Sequence, residues 1–125
     1  MRLLFDTHAL LWWLADSPRL GRRARRAIED PGHRVHVSAV TAWEITVKRA
    51  LGKLEIPDDW AEAVSPDAFP RLDFRWEHAL EVSELPDLHR DPFDRLLVAQ
   101  ARCEGMTLVT HDERLASYDV SVLWD

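Results

Sequence analysis

Apolar residues fall in two spacings along this chain. Short runs of leucine and β-branched residues alternate with longer stretches whose apolar positions follow helical periodicity. Residues 2–6, RLLFD, read as a short buried strand ending in an acid. THALLWWLAD follows with helical character, apolar nearly all round, so one side is expected in the core and the other under some further cover. Ser17-Pro18 breaks the chain, and Leu20 to Glu29 reads as an amphipathic helix closed by Asp30-Pro31-Gly32.

The rest of the chain repeats the alternation. RVHVS, 34–38, predicts a second strand, and a helix is expected from Ala39 to Leu51 with Gly52 as its stop. A short helix near Asp58 to Val64, a strand near Arg71 to Phe74 and a helix over 75–85 come next, then a loop from Pro86 to Arg90. Asp91-Pro92 opens a helix running to Glu104 before Gly105. TLVT at 107–110 predicts a strand, Asp112 to Ala116 a short helix, and VSVLW a last strand. Strands alternating with helices predict an α/β fold with a parallel sheet covered on both faces. A length of 125 residues fits a single domain, 1–125.

Composition narrows the class. With 46% hydrophobic and 30% charged residues, the chain is globular rather than disordered. One cysteine, Cys103, excludes an internal disulfide framework and fits a reducing, cytoplasmic setting. No apolar stretch approaches the roughly 20 residues of a spanning helix, and Asp6 and His8 interrupt any signal-peptide core. The net charge of −6 opposes a nucleic-acid partner, but cations on four carboxylates would bring it to −2. The cations are also clustered: Arg19, Arg22, Arg23, Arg25 and Arg26 lie within eight residues, and Lys48, Arg49 and Lys53 form a second group. Arg22, Arg23 and Arg26 are candidates for contact with a phosphate backbone, although a solvated helix face would look the same.

The acids carry the chemistry. In a parallel α/β sheet the site lies beyond the carboxyl ends of the strands. Asp6 ends the first strand, Glu44 follows the second on the next helix, Asp112 lies just past TLVT, and Asp94 sits in the first turn after Pro92. Carboxylates crowded together repel, so they are neutralised by protons or by cations. An all-oxygen set favours Mg²⁺, with Mn²⁺ as substitute, and suits metal-assisted phosphodiester hydrolysis. Each acid also has a structural use: Asp6, Asp91 and Asp112 can cap helices, Asp94 can support the start of its own, and Glu44 can close a capping box with Thr41. The apolar spacing Val40, Val47, Leu51 instead places Glu44 in the second helical turn.

Four segments in order, FDTHALLWWL, VSAVTAWEI, RDPFDRLLVAQA and LVTHDERL, resemble the PIN domain, specifically toxins of the VapC type. The resemblance spans nearly the whole chain. It implies a three-layer α/β/α sandwich around a parallel sheet, Mg²⁺-dependent cleavage of RNA, a homodimer and a cognate antitoxin protein that blocks the site. Matched by position, Asp6, Glu44 and Asp94 are the principal acids and Asp112 the fourth. Thr7, Ser38, Thr110 and Asp91 become supporting candidates around them, with Ser38 and Thr110 expected at the rim.

Other chemistries fit less well. A phosphatase of the haloacid dehalogenase type needs an acid two residues after Asp6, where His8 stands. A receiver-type phosphoacceptor needs paired acids and a late lysine. The six histidines show no zinc spacing, Cys103 lies late in a helix, and the four glycines form no phosphate loop. A PIN-like module that binds RNA or protein without cutting is the alternative from another class.

Overall fold

A computed structural model describes residues 1–88 and 91–125. The end of the loop expected over 86–90, and the arginine that opens RDPFDRLLVAQA, lie outside the described residues. Strands β1 (Arg2–Phe5), β2 (Arg34–Ser38), β3 (Arg71–Leu72), β4 (Thr107–Val109) and β5 (Val122–Leu123) form one parallel sheet in the order β3-β2-β1-β4-β5. The helices are α1 (Thr7–Leu14), α2 (Arg22–Glu29), α3 (Ala39–Ala50), α4 (Trp60–Ala63), α5 (Trp76–Val82) and α6 (Pro92–Glu104), with a 3₁₀ turn over Glu113–Tyr118. This is the expected α/β/α sandwich.

Strand side chains alternate between two cores. Leu3, Phe5, Val35, Val37 and Val109 face α1, α2 and the segment around Val64 and Phe69. Leu4 and Leu108 face α6, Leu85 and the 3₁₀ turn. The centre of β1 is therefore buried on both faces, which is why it reads as an apolar run without alternation. Helix α3 serves both cores, with Ile45 in one and Val40 in the other. Part of the further cover expected for α1 comes from the chain itself: Leu54, Ile56 and Trp60 pack onto the same core as Leu11, Trp12, Trp13 and Leu14.

Element ends differ from the sequence pattern for tertiary reasons. Helix α2 starts at Arg22 rather than Leu20, because Leu20 closes a turn onto Ser17 O and Gly21 packs against Trp124. The last strand shortens to Val122–Leu123, since the Trp124 carbonyl turns away to accept from Ala24 N–H. Helix α3 ends at Ala50, followed by Gly52 at φ +71°, and α6 ends on Gly105 at φ +65°, both in the left-handed region that glycine tolerates. Helix α5 is shorter than 75–85, and the short helix expected near Asp58 to Val64 is a single turn.

A buried polar chain joins the α5–α6 layer to β2. His78, fully buried, accepts the Arg75 N–H at Nδ1 and donates from Nε2 to Glu104 at 2.8 Å. Gln100 stands against His78 Nδ1 at 3.2 Å and accepts from the Ser38 hydroxyl. The His78 hydrogen bond holds the Glu104 carboxyl below the usual range. Replacing one member of such a network leaves its partners buried and unpaired. His78→Ala is expected to cost about 2–4 kcal/mol in urea unfolding, whereas the exposed Leu51→Ala changes stability little.

Candidate functional site

Chain order creates a crevice between β1 and β4. From β1 the chain moves outward through β2 and β3, then returns to the other side of β1 as β4 and β5. At such a switch point the loops leave the strand ends in opposite directions and open a cleft. Asp6 leaves β1 there, with its N–H bonded to Val109 O at 3.0 Å. The Thr110 hydroxyl, at the end of β4, donates to Asp6 Oδ2 at 2.6 Å. Asp6 Oδ1 accepts from Ala9 N–H and caps α1, so this acid does its structural duty and still sits at the strand end.

Glu44 arrives from the neighbouring strand. Ser38 caps α3 through Val40 N–H, which puts Glu44 in the second turn rather than in a capping box with Thr41. Glu44 is 2% exposed. Its Oε1 accepts the Thr7 hydroxyl and its Oε2 accepts Lys48 Nζ one turn on. Asp94 comes from α6, where Pro92 takes the first helical position and Asp91 caps the helix through Phe93 and Asp94 N–H. Asp112 caps the 3₁₀ turn and meets Arg114 through both carboxylate oxygens at 2.9 Å.

The acids converge electrostatically on Asp94. Burial, then the charges of Asp91, Asp6, Glu44 and Asp112, push its carboxyl up to about 7. Burial also raises Asp6, against the pull of Thr110, Ala9 N–H, His8 and His111. Lys48 is a cation built into this cluster: burial works to lower its pKa, but Glu44, Asp91 and Asp94 together raise it. The sequence pattern grouped Lys48 with surface cations; the Glu44-to-Lys48 spacing of one helical turn was the signal that pairs it with an acid. Among the described residues, no three acid, histidine or cysteine side chains already stand as a metal-ligand group.

The supporting residues divide. Thr7 and Thr110 bond Glu44 and Asp6 directly and are both buried, Thr110 therefore not at the expected rim. Asp91 is a cap whose charge reaches Asp94. Ser38 is placed differently from expectation: it is 1% exposed, caps α3 and turns to Gln100 instead of the acids. Arg22 and Arg23 lie exposed in the first turn of α2 at the strand-end side of the sheet, whereas Arg26 lies in the last turn of α2, away from that edge.

A parallel α/β/α protein with acids from four elements at its switch point is the class these features define. The sequence pattern of the PIN domain matches residues 3–121, and the chain belongs to the PIN domain family. It is similar to Ribonuclease VapC22 of Mycobacterium tuberculosis (strain ATCC 25618 / H37Rv), at 29% identity over 130 residues, covering 93% of this chain and 91% of that one. The fold is that of VapBC2 from Rickettsia felis, solved bound to a promoter DNA fragment, with TM-score 0.77 and 16% identity over 100% of both chains. The DNA-bound VapBC of Salmonella typhimurium gives TM-score 0.72 and 16% identity over 98% of this chain and 97% of that one.

The Asp94 environment has a sign that can be checked. Its folded pKa of about 7 exceeds the ordinary 3.8, so the folded protein binds more protons between those values and loses stability as pH rises through them. In EDTA, Asp94→Asn is expected to raise Tm by several degrees at pH 7.5, with the gain shrinking toward pH 4. Equal Tm at both pH values would contradict this reading of its surroundings.

Proposed function

We propose that the protein is a divalent-metal-dependent endoribonuclease and the toxin of a toxin–antitoxin pair. The observation that carries the reading is the convergence of Asp6, Glu44 and Asp112 on Asp94 from separate elements. The PIN domain match and the similarity to a ribonuclease support the same reaction class. The donor set fits Mg²⁺ or Mn²⁺ in type and charge: it is all oxygen, with Asp6 and Glu44 buried, and its four carboxylates outnumber the cations Lys48 and Arg114 that meet them among the described residues.

Asp6, Glu44 and Asp94 would hold the cation, with Asp112 beside them. When bound, the cation would neutralise these carboxylates and stabilise charge developing on the phosphodiester. Thr110 and Ala9 N–H fix the orientation of Asp6, and Thr7 and Lys48 fix Glu44. The cap of α6 is supplied by Asp91, not by Asp94. The raised pKa of Asp94 means that it is partly protonated near pH 7 without a cation and would release that proton to solvent when a cation binds. The fold's likeness to toxins solved in VapBC complexes supports an antitoxin partner.

Purified protein is expected to cleave RNA with Mg²⁺ or Mn²⁺ and not with EDTA. Asp94→Asn is expected to reduce cleavage at least 100-fold while folding at least as stably as the parent, which separates lost chemistry from lost structure. Cleavage that persists in EDTA would overturn metal dependence, and no cleavage under any condition would favour the silent binding module. Millimolar Mg²⁺ is expected to raise the parent's Tm more than that of Asp94→Asn. Expression in a bacterial host is expected to arrest growth, and Asp94→Asn to restore it.

A further inference from the structure

Four aromatic rings stand together beside the acids. Trp12, on α1, is the hub, with ring centroids of His111, His8 and Trp124 at 5.0, 5.6 and 5.6 Å. His111 also meets His8 at 5.9 Å and Trp124 at 5.8 Å. His8 and His111 are exposed, and the two tryptophans are half-buried. His8 follows Thr7, and His111 lies between Thr110 and Asp112, so the cluster borders the crevice from both strand ends. The two histidines are close enough for their charges to reach Asp6.

The cluster is anchored from behind. Ala24 N–H donates to Trp124 O at 2.7 Å, and a Cβ on Gly21 would stand 2.7 Å from that oxygen and 3.1 Å from Trp124 Nε1. Only glycine lets the start of α2 pack this closely. As a result, the exposed Arg22 and Arg23 begin at the border of the rings.

This arrangement answers an electrostatic difficulty. An acidic crevice on a protein of net charge −6 repels a polyanion. Ring faces bind bases without using charge, and every base has a face to stack. Stacking needs a base free of its duplex partner, since an A-form helix keeps its bases inside. We propose that His8, Trp12, His111 and Trp124 form a stacking platform for an unpaired base of the RNA substrate, with Arg22 and Arg23 meeting the adjoining phosphate. The assignment rests on the nuclease reading of the acids.

The test uses a single-stranded RNA carrying one 2-aminopurine, bound to the non-cutting Asp94→Asn protein. Stacking is expected to quench the probe. Adding His111→Ala or His8→Ala, both at exposed positions, is expected to weaken binding about tenfold and restore fluorescence, while His111→Phe keeps both binding and quenching. Trp124→Leu is expected to act like His111→Ala, and Arg22→Ala with Arg23→Ala to weaken binding and flatten its salt dependence. With Asp94 intact, the ring variants are expected to raise KM for single-stranded RNA and leave kcat within a few-fold. Ring variants that bind and cut like the parent overturn the platform and leave the nuclease reading standing. A parent that cuts no RNA overturns that reading itself. Duplex RNA bound as tightly as single-stranded RNA, or ring variants that lose only a protein partner, also overturn the platform.

Discussion

Everything at the strand ends is organised around like charges held close together out of water. Asp94 feels Asp91, Asp6, Glu44 and Asp112 at once, and burial denies it the solvent that would screen them. At neutral pH that environment costs up to about 4 kcal/mol, taking a displacement of roughly three pH units at 1.36 kcal/mol each. A fully buried leucine or phenylalanine contributes about 1.5–3 kcal/mol. Two or three core side chains therefore offset the crowding, and the chain has many more: Leu3, Leu4, Phe5, Leu10, Ile45, Leu97 and Leu108 are all completely buried.

The fold distributes this tension instead of removing it. Each acid is tied to its own element by a bond that also serves the backbone. Asp6 caps α1, Asp112 caps the 3₁₀ turn, and Glu44 is held between Thr7 and Lys48. None of these side chains can swing away without releasing a helix start or a buried hydroxyl. A carboxylate cluster that would fly apart on a flexible surface is thus kept in place by the same contacts that begin the helices. Lys48 and Arg114 offset part of the charge from opposite sides, at Glu44 and at Asp112.

The buried chain through Ser38, Gln100, His78 and Glu104 does related work for Asp94. It fixes α6 against β2 and α5, and α6 carries Asp94. Nothing in the spacing of apolar residues marks these positions. Gln100 and His78 occupy places where a periodic pattern expects apolar side chains, and only their mutual hydrogen bonds make their burial tolerable.

The order of elements, the parallel sheet and the placement of acids at strand ends were legible from the sequence, because each depends on local periodicity and on which residues can cap a helix. The match of the four quoted segments to a family pattern extended that reading to the whole chain. Tertiary structure decided what local rules cannot reach. It took Ser38 away from the acids by offering it Gln100, and started α2 late because Gly21 meets Trp124. It also gathered His8, Trp12, His111 and Trp124 from three separate stretches of chain. Contacts such as Ser38 to Gln100 and Trp12 to Trp124 join residues about sixty to about a hundred and ten positions apart, and their partners are chosen by packing of the whole sheet rather than by neighbours in sequence.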